Sequence, residues 1–275
     1  MKVQEKMIND LSNELIFEKI KNNKYINKVC YLEQTGSTND LAKEKAENEN
    51  AGGVIYIVET QTSGKGRFKR KWFSKTNTGI WATALLRPDM EVRLATGYSI
   101  LCAISIARAI NKNTGTNAKI KWPNDVIIEG KKVCGILAEM SSKNNKIDWI
   151  AIGFGINVNI SKNDFDPEIL EKATSLSIEK GQYISRLTLL DSVITEFEEL
   201  ITKYEREKSL SFALKEYEAL SAVYNKKVEL IEGDLSKFGV VKGFAEDGSL
   251  LLETENGIEK IGYGEVSLRS SQIYK

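Results

Sequence analysis

The chain has 275 residues, of which 41% are hydrophobic and 28% charged, the balance of an ordinary globular protein. Its 39 Lys and Arg against 38 Asp and Glu give a net charge of +1, without the basic excess that a general nucleic-acid coat needs to displace counterions. There is no histidine, which excludes a Ser-His-Asp triad, a Cys-His pair and any His-ligated zinc site, so that chemistry must run on Lys, Arg, carboxylates, amides and backbone donors.

The N-terminus is charged from Met1 to Lys6 and leads into a mixed polar segment, with no apolar stretch of signal-peptide or membrane-span length. Ile8, Leu11, Leu15, Ile16 and Ile20 fall at helical spacing, which predicts an amphipathic helix in the first roughly 20 residues. Lys28 to Glu33 reads as a short strand. Ser37-Thr38-Asn39-Asp40 offers N-cap chemistry before a helical stretch from Leu41 to Ala46, and Val54 to Val58 is a buried strand. The three cysteines, Cys30, Cys102 and Cys134, are odd in number and far apart, which predicts free thiols in a reducing compartment and hence a cytoplasmic protein.

From Thr60 to Asn77 apolar periodicity stops and Gly, Ser, Thr, Lys and Arg take over, a loop long enough to carry function. Within it, Gly64-Lys65-Gly66-Arg67-Phe68-Lys69-Arg70-Lys71-Trp72 combines glycines that admit a ligand to the backbone with five cationic side chains. Arg67 and Arg70 suit a phosphate and Trp72 offers a flat face to a purine, although a basic surface loop has the same composition. It is not a Walker loop, since Gly-x-x-x-x-Gly-Lys-Ser/Thr is absent.

Ile80 to Leu86 resumes as a strand, and Leu94 to Ile110 is helical. Strand-like runs follow at Ala118 to Lys121, Val126 to Ile128, Val133 to Glu139 and Trp149 to Val158. Lys121-Trp122-Pro123-Asn124-Asp125 is costly in a strand and reads as a sharp exit with Lys121 on the last strand residue, either a site or a plain turn. Lys132 precedes a strand with Gly135 in mid-run, where glycine marks close approach of backbone or ligand. In Gly153-Phe154-Gly155-Ile156-Asn157 the glycines fit bulges or a ligand, and Asn157 needs partners if buried.

Arg186 to Tyr204 carries one apolar stripe, and Phe212 to Leu220 makes a second helix. After Ala222 the pattern changes to short strands at Lys227 to Ile231, Lys237 to Phe244, Ser249 to Glu253, Ile258 to Ile261 and Glu265 to Leu268. Hairpin signals at Ala245 to Gly248 and Thr254 to Gly257 make a small barrel after an α+β body.

Taken in order, these segments resemble the biotin–protein ligases. That family's Ser-Thr-Asn stands at Ser37 to Asn39, its strand-terminal Gln at Gln61, and its Gly-Arg-Gly-Arg-x-Gly-Arg-x-Trp loop at Gly64 to Trp72. Lys-Trp-Pro-Asn-Asp is intact at Lys121 to Asp125, followed at the family's spacing by Lys132, Gly135 and Glu139. Gly-x-Gly-Ile-Asn lies at Gly153 to Asn157, and Gly264 to Arg269 looks like the end of the family's small barrel. Lys65 replaces the loop's first arginine and Lys69 its last glycine.

The resemblance spans residues 28 to 270 and implies an α+β protein: a mixed β-sheet catalytic domain flanked by helices, of the class II aminoacyl-tRNA synthetase-like or biotin ligase fold, plus a small C-terminal SH3-like β-barrel. The expected division is an N-terminal helical extension over 1–27, the biotin- and ATP-binding domain over 28–221 and the barrel over 222–275. The implied activity is ATP-dependent formation of biotinyl-5′-AMP from biotin, then transfer to a lysine of a biotin carboxyl carrier protein domain of a carboxylase. Carried over by position, Ser37, Thr38, Asn39 and Gln61 meet the ureido ring and neighbouring groups, and Lys121 with backbone from Lys65 to Arg67 meets the valeryl carboxylate. Arg67, Arg70, Trp72, Asn124, Lys132 and Asn157 serve the nucleotide, with Gly64, Gly66, Gly135, Gly153 and Gly155 giving close backbone approach. Lys121, Arg67 and Lys132 are the expected catalytic residues, Mg²⁺ arrives with the triphosphate, and no protein metal site is implied. A homodimer through the central sheet's edge is open, while neither DNA nor membrane is expected. A lipoate ligase or octanoyl transferase and a biotin-sensing DNA-binding repressor are the rival readings, the latter opposed by the 27 residues preceding the first strand.

Overall fold

A computed structural model describes residues 10–232, 235–262 and 266–269. The expectations placed on Met1 to Lys6, on Ile8, and on Gly264 and Glu265 lie outside the described residues. The strands are β1 (Lys28–Thr35), β2 (Val54–Gln61), β3 (Gly79–Leu86), β4 (Lys119–Lys121), β5 (Asp125–Ile128), β6 (Lys131–Lys143), β7 (Lys146–Asn157), β8 (Lys227–Glu232), β9 (Leu235–Phe244), β10 (Leu250–Thr254), β11 (Gly257–Ile261) and β12 (Val266–Arg269). The helices are α1 (Asn13–Ile20), α2 (Thr38–Asn48), α3 (Ala95–Thr114), α4 (Pro167–Leu170), α5 (Leu176–Lys180), α6 (Arg186–Glu207) and α7 (Ser211–Leu220). Every strand and long helix read from periodicity is present within a few residues of its expected ends, whereas α4 and α5 were not anticipated.

Seven strands form a mixed sheet in the order β1-β2-β3-β7-β6-β5-β4, with only β1 and β2 parallel. Side-chain alternation divides its two faces. On one, Ile80, Ala82, Ala84 and Leu86 of β3 and Ile150, Ile152, Phe154 and Ile156 of β7 join the main core with α3 and α6. Helix α3 is apolar enough by composition to cross a membrane, but most of it is buried here as the central core helix. The opposite face carries α2 and, beside it, a surface left with small or polar residues: Thr83, Gly135, Gly153, Gly155 and Asn157.

Helix α1 belongs to the same core, since Leu11, Ile16 and Ile20 are buried in it. Just before α1, Asp10 joins an ion network that no local pattern in the sequence announces. The fully buried Arg186 donates from Nε to Asp10 Oδ1 at 2.7 Å and from Nη1 to Glu59 Oε2 at 2.8 Å. Glu59 also accepts from the Tyr31 hydroxyl (2.7 Å) and the Asn77 amide (2.8 Å), so the charge is satisfied from several elements at once.

The second sheet is antiparallel, in the order β11-β10-β9-β8-β12. Its inner residues Val228, Leu230, Val241, Phe244, Leu250, Leu252 and Leu268 run into the main core, and buried Trp122 donates from Nε1 to the Gly248 carbonyl at 3.2 Å. The Trp-Pro turn is thereby held by both sheets.

Candidate functional site

A cleft of about 1310 Å³ opens on the face of the large sheet opposite α3. Its lining includes Ser37, Thr38, Asn39, Gln61, Lys65, Gly66, Arg67, Arg70, Trp72, Lys121, Asn124, Lys132, Gly135, Gly153, Gly155 and Asn157. Of the expected site residues only Gly64 is absent from that lining; it is buried within the loop, its carbonyl accepting from the Trp72 amide at 2.8 Å. The structure thus gathers these residues from four strands, one helix and two loops around one space.

At the α2 end the lining is neutral. Ser37 occupies the N-cap position of α2 in extended conformation, yet its side chain makes no capping bond. The cap reading of Ser37 therefore holds for the backbone and not for the hydroxyl, which lines the cleft. Gln61 Oε1 accepts from the Thr38 amide at 2.8 Å, and the Thr38 hydroxyl lies 3.2 Å from the same oxygen. Asn39 donates to the Leu137 carbonyl at 3.1 Å and to Glu139 Oε2 at 2.9 Å. A Cβ on Gly153 would stand 1.9 Å from Asn39 Oδ1, so only glycine leaves room for that carboxamide.

The other end is cationic. Lys65, Arg67, Arg70, Lys71, Lys121, Lys131, Lys132 and Lys172 line it, against the carboxylates Asp125, Glu168 and Glu171. Lys121 ends β4, as the sequence implied, and the Trp122-Pro123 peptide is cis. Asn124 is fixed by mutual bonds with Ile136, its Nδ2 donating to the Ile136 carbonyl at 2.8 Å, and its Oδ1 accepts from Arg67 at 3.1 Å. Lys132 pairs with Asp125 at 2.6 Å, and its ammonium lies 5.1 Å from the centre of the Trp72 ring. Trp72 lies close against the sheet: a Cβ on Gly155 would be 2.5 Å from its Nε1. Asn157, buried, donates to the Thr174 carbonyl at 3.0 Å, which supplies the partner that its burial required.

The loop from 62 to 78 is stitched at both ends. At its base Ser74 Oγ accepts from the Gln61 amide at 2.8 Å and donates to the Gln61 carbonyl at 3.0 Å. Nearer the tip Gly66 donates to the Arg70 carbonyl at 2.8 Å, closing a short helical turn over Arg67–Lys69. Phe68 sits there at φ +58°, exposed, with the Arg67 and Arg70 guanidinium groups 5.0 and 5.5 Å from its ring centre. Lys65, the loop's departure from arginine, forms an ion pair with Asp40 of α2. Hydrogen bonds from Lys65 and Lys43 outweigh partial burial and hold the Asp40 carboxyl below its ordinary range. Burial above all, against the opposing charge of Lys132, pushes the Cys134 thiol well above its usual range, so this buried cysteine is no nucleophile.

Three contributors escaped the sequence reading. Thr83 lies under Thr38 and Asn39, within 2.8 and 2.7 Å of their side-chain oxygens. A wall from Phe165 to Ala173, tied to the loop by Lys75–Asp164 and by Phe73 against Phe165, closes the cationic end. Leu268 of the small sheet completes the lining. A lone polar residue in the apolar run Gly79 to Leu86 was the one available signal for Thr83.

A family model described as the biotin/lipoate A/B protein ligase family matches residues 31–157, and one described as the biotin protein ligase C terminal domain matches residues 223–269. The bifunctional ligase/repressor BirA of Bacillus subtilis is 34% identical over 241 residues, 87% of this chain and 74% of its own length. The biotin--[acetyl-CoA-carboxylase] ligase of Mycobacterium tuberculosis is 29% identical over 85% of this chain and 86% of its own. The biotin protein ligase of Aquifex aeolicus in complex with biotin and ATP has a TM-score of 0.77 at 31% identity, covering 88% of this chain and 99% of that one.

Proposed function

The chain belongs to the biotin–protein ligase family, and from that premise we propose how its cleft divides the work. The enzyme is an ATP-dependent ligase that activates biotin and transfers it to an acceptor, a carboxyl carrier protein. One observation carries the division: a neutral hydrogen-bonding end and a cationic end share a single cleft. Ser37, Thr38 and Gln61 suit an uncharged ureido ring, with Asn39 spent on Leu137, Glu139 and Thr83 behind them, and the lysines and arginines suit a carboxylate and a triphosphate.

In the first half-reaction a carboxylate oxygen of biotin attacks the α-phosphorus of ATP and pyrophosphate leaves, giving biotinyl-5′-AMP. Lys121 and Arg67 offset the charge on the reacting oxygens, and Asn124, fixed through Ile136, orients Arg67. Lys132 and Trp72 take the nucleotide, and Mg²⁺ bound with the triphosphate would offset part of its charge. In the second half-reaction the acceptor lysine attacks the mixed anhydride carbonyl and AMP leaves. The loop at 64–72 shields the anhydride from water meanwhile. We assign residues 28–221 to this chemistry and 222–275 to the small β-domain, and place the enzyme in the cytoplasm on its free cysteines. For a homodimer one edge of the large sheet is β1, where Leu32 is exposed.

The test is exchange of labelled pyrophosphate into ATP by the purified protein. Exchange that requires biotin and ignores lipoate is the expected result; exchange supported by lipoate would move the chain to the other branch of the matched family.

A further inference from the structure

We propose that Thr83 and Asn39 are a positioning pair that sets the hydrogen-bond polarity of the ureido end of the cleft, Asn39 acting on the protein and not on the substrate. The inference rests on the reading of that end given above and assigns it a buried support. Thr83 is fully buried on the cleft face of β3, in register with Gly153 of β7, which is in register with Leu137 of β6. Asn39, from the first turn of α2, lays its carboxamide in the hollow left by Gly153. On one flank its Oδ1 is 2.7 Å from the Thr83 hydroxyl; on the other its Nδ2 donates to Leu137 and Glu139. Both amide protons are used, so Asn39 keeps no donor for a ligand.

Thr83 has one proton and Asn39 Oδ1 can only accept, so that proton goes to Asn39. The Thr38 hydroxyl then has two acceptors, Thr83 Oγ1 at 2.8 Å and Gln61 Oε1 at 3.2 Å, and both lie within the protein. With the Thr83 proton on Asn39, the 2.8 Å contact is a hydrogen bond only if Thr38 donates to Thr83, so the Thr38 proton is used within the protein and its hydroxyl is left to accept. Gln61 Oε1 is turned to the Thr38 amide, which leaves Nε2, beside Gly64, as its donor. One end of the cleft thus offers an acceptor at Thr38 and a donor at Gln61, the complement of a ureido N–H and C=O. Thr83, touching no substrate, fixes the Thr38 half of that pattern, and the Thr38 amide fixes the Gln61 half.

Thr83→Val keeps the β-branched shape and strand packing but removes the hydroxyl; Thr83→Ser keeps the hydroxyl. In pyrophosphate exchange the valine variant should raise the KM for biotin about tenfold, with the KM for ATP and the melting temperature near those of the unaltered chain. The serine variant should restore the biotin KM. An unchanged biotin KM in the valine variant would overturn the proposal. So would a parallel rise in both KM values that serine fails to rescue, because that pattern is lost packing. Should valine prevent folding, Thr83→Ala gives the same reading. Exchange absent from the unaltered chain would sink the reading of the site itself, and is told apart because no variant is then needed.

Discussion

On the floor of the cleft, Thr83 and Asn39 are 0% and 4% exposed and each polar atom has its partners within one or two strands. At the rim, Lys65, Arg70 and Lys71 are exposed and the backbone turns through a left-handed Phe68. The floor discriminates by shape and hydrogen-bond direction, because buried polar groups left unpaired are expensive. The rim works by charge, which solvent and salt weaken but which tolerates movement. An uncharged ureido ring needs the first kind of surface and a reactive acyl-phosphate the second.

The sharpest way to break this contrast is Gly153→Ala. The added methyl would stand 1.9 Å from Asn39 Oδ1, backed by Thr83 and Leu137 on the flanking strands, so the carboxamide has nowhere to retreat. Overpacking of this kind costs roughly 1–3 kcal/mol, and the kcat/KM for biotin should fall by up to about a hundredfold with the KM for ATP little changed. Steady-state exchange kinetics against each substrate would show it; an equal loss for both would mean that the floor is not specific to one of them.

Arg67→Gly probes the rim, and its main effect should fall on retention of the adenylate. It removes the guanidinium that meets Asn124 and one of two that stack on Phe68. Losing a charge-assisted contact to the anhydride's phosphate should speed escape of biotinyl-AMP about tenfold. Rapid filtration of the labelled adenylate would measure this, with stray biotinylation of bystander lysines rising in step. Retention equal to that of the unaltered chain would separate Arg67 from the intermediate.

These two regions were not equally legible in the amino-acid sequence. The rim was plain, because a glycine-rich basic stretch from Gly64 to Trp72 and a proline-interrupted strand at Lys121 to Asp125 are local events that violate periodicity. The floor was half visible. Ser37 to Asn39 and Gln61 were recovered by likeness to a family, but Thr83 was hidden, since threonine suits a strand and only the register with Gly153 gives it a task. The wall at Phe165 to Ala173 was missed because α4 has four residues and α5 five, too few for a helical stripe, although Asp166-Pro167 and Ser175 are good caps. Arg186 reads as a helix-start residue, and nothing local reveals that it meets Glu59 across 127 positions.

Asp40→Asn should give the smallest effect and the finest test of the contrast, because Asp40 joins the two regions. It follows Asn39 in α2 and holds both Lys43, which continues to Glu139 and hence to Asn39, and Lys65 of the loop. Its side chain is 40% exposed and that of Lys65 47%, so the pair is screened and contributes little. Adenylate escape should rise no more than about threefold at low salt, and the difference should vanish near 1 M salt, where the Debye length is about 3 Å. The folded-state pKa of Asp40 is lowered, so whatever the pair contributes is present above the ordinary carboxylate value and is lost only as pH falls through the depressed one. Between pH 6 and 9, roughly, the variant and the unaltered chain should therefore run parallel. A larger effect that persists in high salt would mean that Asp40 acts through Lys43 and Glu139 on the floor and not through Lys65 on the rim. The biotin KM would then move with it, and the two regions would have to be treated as one coupled unit.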